Sequence, residues 1–324
     1  MVGIGVNLPE NRFRRIVLHT FHKDSMKNKK AKILVILGPT ATGKSDLAVK
    51  IAKKWNGEII SADSRQVYRG LNIGTGKITK GEMLGVRHHM LDVISPKKVF
   101  SVSDWKKQTE KIISEIISRE KLPIICGGTG FYIQAVVDNI ILPEVPPNKK
   151  LRKDLEKKTK EELFSILIKL DHERAGEIDK NNPVRLIRAI EIVKALGKVP
   201  KIRIKSSEYR FLQIGLKTRK AELKLRIRER LISRFKKGMI KEAKNLYKNG
   251  LALKRMRELG LEYKYLADYL ENKLTKSELI QKLETEIWRY SKRQITWFKR
   301  DKRIKWFKPT ETNKIEQEIK AFLT

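Results

Sequence analysis

Cysteine is nearly absent: Cys126 is the only one in 324 residues. A single thiol excludes an internal disulfide and fits a reducing, cytoplasmic setting. Long apolar runs are missing too. The longest purely apolar stretch is Ile33 to Leu37, far short of the roughly 20 residues a membrane helix needs, so no bilayer span is expected. Residues 1–30 contain Arg12, Arg14 and Arg15 but no apolar core of signal-peptide length, and they read as a loose extension. The histidines, at positions 19, 22, 88, 89 and 172, show no zinc spacing. Acid is short relative to base: 37 Asp+Glu against 73 Lys+Arg leave a net charge of +36. A polyanionic partner is expected from that excess, although a lysine-rich compositional habit would give the same total. Only the arrangement of the charges separates the two.

What is present is a globular composition at a length that suits one large domain or two. Lys32 to Trp55 reads as strand, loop and helix, with Leu47, Ala48, Ile51, Ala52 and Trp55 at helical spacing behind the β-rich run Ile33 to Leu37. Further apolar runs, Glu58 to Ala62 and Pro123 to Cys126, are separated from it by helical patterns. This alternation predicts a parallel sheet whose ligands gather beyond the carboxyl ends of the strands, at Gly38, Asp63 and Gly127. After Val137 the pattern changes. Pro143, Pro146 and Pro147 mark an irregular link, and 149–196 reads as purely helical, with Leu163, Ile166, Leu167 and Leu170 as one stripe. Asn182, Pro183 and Gly197 give its last helix a cap, a first-turn proline and a stop. Leu212 to Leu216 is a strand again, and from Ala221 the chain reads as helical and basic. The expected fold is therefore α/β: a P-loop NTPase-like parallel-sheet core over 32–138 and 201–324 with a basic helical C-terminal part, a helical insertion domain over 139–200, and an extension over 1–31.

The residues Gly38, Pro39, Thr40, Ala41, Thr42, Gly43, Lys44 and Ser45 satisfy the phosphate-loop pattern between a strand and a helix. Glycines let backbone N–H groups wrap a phosphate at the helix N-terminus, Lys44 supplies a point charge, and the Ser45 hydroxyl can hold Mg²⁺. The strand ending at Cys126 runs into Gly127-Gly128-Thr129-Gly130 with no carboxylate, which argues against a motor or switch. The acid at the sheet edge is Asp63, either facing an acceptor beside the phosphates or merely capping the following turn. Ser64, Arg65 and Gln66 suit a nucleobase; Thr129 fits a substrate contact or a helix cap equally well. Arg185 and Arg188 share a helix face that is either solvated or phosphate-binding. Arg289 to Lys308 interleaves nine Lys/Arg with Tyr290, Trp297, Phe298, Trp306 and Phe307 against one acid, Asp301. Such a segment suits RNA, with its basic residues as contacts and most rings as core.

In this order the motifs resemble the tRNA dimethylallyltransferases, or tRNA isopentenyltransferases. The phosphate loop, Asp63 to Lys77, His88 to Asp92, Gly127 to Tyr132, Asn182 to Glu191 and Ser291 to Phe298 are all similar to that family's motifs, over residues 32 to about 308. The resemblance implies transfer of a dimethylallyl group from dimethylallyl diphosphate to N6 of adenine 37 in the tRNA anticodon loop, with diphosphate released. Mg²⁺ is the expected cofactor, and a monomer the expected state. The resemblance implies Asp63 as general base, Thr40 to Ser45 as the diphosphate site and Arg226 as an arginine that assists the leaving group; the phosphate-loop pattern itself extends that site over Gly38 to Ser45 and adds Lys44 as a charge for the leaving diphosphate. The resemblance further implies Asp63, Ser64, Arg65, Gln66, Thr129, Arg152, Val184, Arg185, Leu186, Ile187 and Arg188 as tRNA-contacting positions, to which the basic tail adds Lys292 and Arg293. Gly260 to Lys264 departs from the family's usual sequence. The rivals are a small-molecule P-loop kinase, an isopentenyltransferase acting on free AMP or ATP, and an RNA-binding NTPase module.

Overall fold

The structure is a computed structural model that describes residues 30–201 and 203–324. Most of the expected extension over 1–31 lies outside the described residues; Ala31 already belongs to the first strand. Eight strands are found among the described residues: β1 (Ala31–Leu37), β2 (Gly57–Ala62), β3 (His88–His89), β4 (Leu122–Gly127), β5 (Ile140–Ile141), β6 (Arg203–Ile204), β7 (Tyr209–Leu216) and β8 (Lys305–Phe307). Six of them form one sheet in the order β3-β2-β4-β1-β7-β8. Every pairing in it is parallel. The fold is thus the expected α/β class.

The parallel sheet is buried on both faces, as the continuous apolar run of β1 requires. On one face Leu34, Ile36, Ile124 and Ile214 meet Leu47, Ala48 and Ile51 of the Lys44–Lys54 helix and Ile315 and Ile319 of the Thr312–Leu323 helix. Trp105, Ile113 and Ile116 of the Val102–Ser118 helix are fully buried. Register then places the site. Leu37 and Ala62 both pair with Gly127, so β1, β4 and β2 end level with one another. The loops beginning at Gly38, Asp63 and Gly128 leave the sheet side by side.

Two short strands of this sheet were not legible in the sequence. β3 adds an edge beside β2, and β8 adds the opposite edge beside β7. The reading of everything after Ala221 as helical is therefore corrected at Lys305–Phe307, where Phe307 packs onto the core through a sheet contact.

The described residues divide into two compact units, one comprising those from 30 to Ile133 together with Ser207–Thr324, the other those within Gln134–Ser206. The second unit has the helices Lys149–Leu155, Lys160–Leu170, His172–Glu177 and Pro183–Leu196. It also contains the antiparallel β5–β6 pair, so it is wider than 139–200 and not helical throughout. Asn182 caps the last helix by accepting from the Arg185 N–H at 3.2 Å, and Gly197 ends it with φ 81°. Leu163, Leu167, Leu186 and Ile190 form its core, with Phe164 packed against them; Leu170 is exposed.

Candidate active site

The phosphate loop is shaped by contacts that glycine alone permits. Gly38 has φ 144°, and a Cβ there would lie 2.6 Å from the Leu216 carbonyl oxygen. Gly43, at φ 82°, starts the Lys44–Lys54 helix. The Pro39 carbonyl accepts from Thr42 Oγ1 at 2.9 Å and from Lys44 Nζ at 2.6 Å, which folds the lysine back over its own loop. Loss of hydration there lowers the Lys44 pKa to about 8, a shift that nearby Arg230 reinforces and Cys126 and Asp63 oppose. Ser45 is exposed at the helix start.

Asp63 holds the turn that follows β2, and it also lines a cavity beside the phosphate loop. Its Oδ1 accepts from the Arg65 N–H at 2.8 Å and the Gln66 N–H at 3.2 Å, so it holds the turn after β2. Oδ2 makes no hydrogen bond among the described residues, and Asp63 lines the same cavity as Lys44. Thr129 does not use its side chain to cap its own helix; its Oγ1 accepts the Ser64 N–H at 3.0 Å and ties the two loops together. Burial, with the Asp63 charge added, raises the Tyr290 pKa, so the phenol stays protonated.

The cavity has a volume of about 440 Å³ and lies within the larger unit. Arg226, Arg230 and Arg234 line it at i, i+4, i+8 along the Lys220–Lys236 helix. Arg226 pairs with Glu222 at 2.6 Å. Arg234 donates to the Gly74 carbonyl at 2.6 Å and to Glu262 at 2.8 Å. Arg230 has no ion pair among the described residues, and the sequence reading did not single it out. Ile78, Leu91, Ile227, Leu261 and Ile287 supply an apolar lining. Asp63 is not the only acid: Asp46, Glu82, Glu229 and Glu262 also face the space. Glu82 is committed to the Thr79 cap and Glu262 to Arg234.

Two further residues went unnoticed in the sequence. Glu242 accepts from the N–H groups of Asn72, Ile73 and Gly74 at 3.0, 2.7 and 2.9 Å and from the Tyr263 hydroxyl, pinning a loop whose next residues, Thr75 and Gly76, line the cavity. Gln294, on the Lys276–Phe298 helix, bonds the phosphate loop at Thr40 and the β4 loop at Gly128. The signal for Gln294 was its place on a helix stripe with Ile287, Ser291 and Phe298, all buried. In the variant segment Gly260 to Lys264, Leu261 and Glu262 line the cavity and Tyr263 is buried.

The positions expected to contact tRNA in the second unit divide sharply. Val184 is 77% exposed and Arg185 is exposed, whereas Leu186 and Ile187 are buried in that unit's core, so contacts through their side chains are excluded. Arg152 and Arg188 both pair with the buried Glu191, at 2.7 and 2.6 Å, and are half-buried by that engagement. Lys292 and Arg293 are exposed, their cations 5.9 Å from the rings of Trp288 and Tyr290.

A model of the IPP transferase family matches residues 66–301. The tRNA dimethylallyltransferase of Anoxybacillus flavithermus is 38% identical over 90% of this chain and 95% of its own length. That of Carboxydothermus hydrogenoformans is 42% identical over 85% and 91%. Among solved structures, the tRNA isopentenylpyrophosphate transferase of Bacillus halodurans superposes with a TM-score of 0.66 at 36% identity, covering 91% of this chain and 97% of that one. A eukaryotic dimethylallyltransferase acting on tRNA reaches 0.71 at 27% identity, covering 82% and 69%. A matching region of that extent, with relatives of such identity along most of the sequence, means that the chain belongs to the IPP transferase family, alongside the tRNA dimethylallyltransferases.

Proposed function

We infer that this chain is a tRNA dimethylallyltransferase that moves the dimethylallyl group of dimethylallyl diphosphate to N6 of adenine 37 beside the anticodon. The observation that carries the reading is the cavity itself, in which a phosphate loop, a free carboxylate oxygen and an apolar wall share one space. A diphosphate fits the loop amides, Lys44 and the arginines of the Lys220–Lys236 helix; a five-carbon chain fits Ile78, Leu91, Ile227 and Ile287.

The exocyclic amine of adenine is a weak nucleophile, because its lone pair is delocalised into the ring. As the N6–C1 bond forms and the C1–O bond breaks, one amine proton passes to Asp63 and the electron pair leaves with diphosphate. Lys44, Arg226 and the loop N–H groups stabilise the charge that gathers on the leaving oxygens. Asp63 keeps its place during transfer because Oδ1 is held by two amides while Oδ2 is available. The Ser45 hydroxyl, exposed at the loop, is a hard oxygen ligand of the kind Mg²⁺ accepts alongside phosphate oxygens. When bound, Mg²⁺ would further neutralise the diphosphate. Extrusion of the adenine costs a few kcal/mol, least in a loop, which suits an anticodon-loop acceptor. The reading includes a cytoplasmic monomer, and the exposed Lys292, Arg293 and Arg185 as phosphate contacts for tRNA.

The test is acceptor choice. Labelled dimethylallyl diphosphate is offered with unmodified tRNA and AMP together, and label is expected in tRNA. Label in AMP would favour the free-nucleotide rival; no label in either acceptor, with phosphoryl transfer from γ-labelled ATP in a parallel reaction, would favour a kinase.

A further inference from the structure

The Lys276–Phe298 helix inserts one carboxamide between the two halves of the proposed reaction centre. Gln294, 6% exposed, accepts the Thr40 N–H through Oε1 at 2.9 Å and donates through Nε2 to the Gly128 carbonyl at 2.9 Å. A backbone N–H can only donate and a carbonyl can only accept, so the orientation of the amide is dictated by its partners. Thr129, the next residue, accepts the Ser64 N–H beside Asp63. The phosphate loop is thereby joined to the Asp63 turn through Gln294 and the β4 loop. The glycines there leave room for the joint: a Cβ on Gly128 would lie 2.2 Å from Gln294 Nε2, and one on Gly130 would lie 2.2 Å from Trp297 Cδ1. Gln294 and Trp297 sit three apart, on one face of the helix.

We propose that Gln294 is a positioning residue: its carboxamide fixes the diphosphate loop at a set offset from the Asp63 turn, so that leaving group and proton acceptor flank the reacting carbon. The proposal rests on the transfer reading given above. Gln294 acts through Thr40 and Gly128. Because the Thr40 N–H is already committed to Oε1, the amides that cradle phosphate are those that follow it.

The experiment compares Gln294→Glu and Gln294→Met with wild type in the full chain. In Gln294→Glu the ionised carboxylate keeps the acceptor for Thr40 but turns a second oxygen toward the Gly128 carbonyl, and the two repel. A neutral carboxylic acid restores the donor. The rate of Gln294→Glu relative to wild type is therefore expected to be down by on the order of 10²-fold at mildly alkaline pH, the cost of a displacement of about 1 Å. It should recover at least about tenfold as pH falls and the buried acid protonates. Gln294→Met should be impaired at every pH. The nearby groups that titrate or carry charge, Lys44 and Asp46 on the first helix, Asp63, Cys126, Arg230 and Tyr290, are present in wild type as well, so the ratio cancels them. The loss should fall on kcat and on the KM for dimethylallyl diphosphate, with tRNA affinity unchanged, which a residue that only fills the core would not produce. A ratio for Gln294→Glu that stays flat with pH, or that stays within about twofold of wild type, overturns the proposal. If Gln294→Met does not fold, the pH dependence of Gln294→Glu decides alone. If wild type transfers nothing to tRNA, it is the transfer reading that fails, and the affinity of Gln294→Glu for inorganic diphosphate over the same pH range still tests the joint.

Discussion

Two residues at the cavity lend themselves to separation of role from structure. Asp63→Asn keeps an oxygen for the Arg65 and Gln66 amides while removing the basic carboxylate, so the turn should survive. Single-turnover transfer should fall by about 10²-fold or more, the usual contribution of a general base, with tRNA affinity within a few fold. A variant retaining more than about a tenth of wild-type turnover would move the base to another of the acids facing the cavity, such as Asp46 or Glu229. Lys44 is tested by pH. Its pKa, lowered to about 8 chiefly by burial, means that the free chain loses the loop's charge as pH rises through that value. Diphosphate binds the charged form. Affinity for inorganic diphosphate, measured by calorimetry and taken relative to Lys44→Met so that the anion's own protonation cancels, should therefore decline as pH rises through about 8. A relative affinity that does not change across that range would show that the ammonium does not serve the anion.

At the level of elements, the short edge strand β3 is tied in by a buried ion cluster. Glu58 on β2 is 1% exposed and meets His89 at 2.7 Å, Arg119 at 2.8 Å and Lys121 at 3.0 Å. Burial alone would raise the Glu58 carboxyl, but hydrogen bonds from His89, Lys121 and Arg119 outweigh it and hold the pKa at about 2. A depressed folded-state pKa adds stability above the unfolded value of 4.5, and that stability is lost as pH falls through about 2. Urea midpoints of wild type should drop more steeply over that acid range than those of Glu58→Gln; parallel curves would mean that the cluster contributes nothing. The phosphate loop, Asp63 and the level strand ends were legible because each is a local pattern: glycines at fixed spacing, and apolar runs followed by polar turns. β3 and β8 were not, since two or three residues have no period and owe their form to a neighbour distant in sequence. Gln294 escaped for the same reason, its partners being 254 and 166 residues away. The engagement of Arg152 and Arg188 with Glu191 was hidden too, because burial of a single glutamate leaves no mark on composition.

Over the whole molecule, the +36 charge coexists with many ion pairs that consume cations internally, so only the exposed remainder is available to a polyanion. Lys292, Arg293, Lys299 and Arg300 belong to that remainder. If on the order of five phosphates are neutralised, log K for tRNA should fall with log[salt] at a slope of roughly −4, and neutralising those four residues should flatten it. A slope near zero would make the excess a compositional habit. The chain is incubated with dimethylallyl diphosphate and an anticodon stem-loop RNA, made with adenine or guanine at position 37, while released diphosphate and RNA-bound prenyl group are counted together. Release and incorporation should be equal with adenine and both absent with guanine; diphosphate released without RNA, or incorporation indifferent to position 37, would mean that N6 of adenine 37 is not the acceptor.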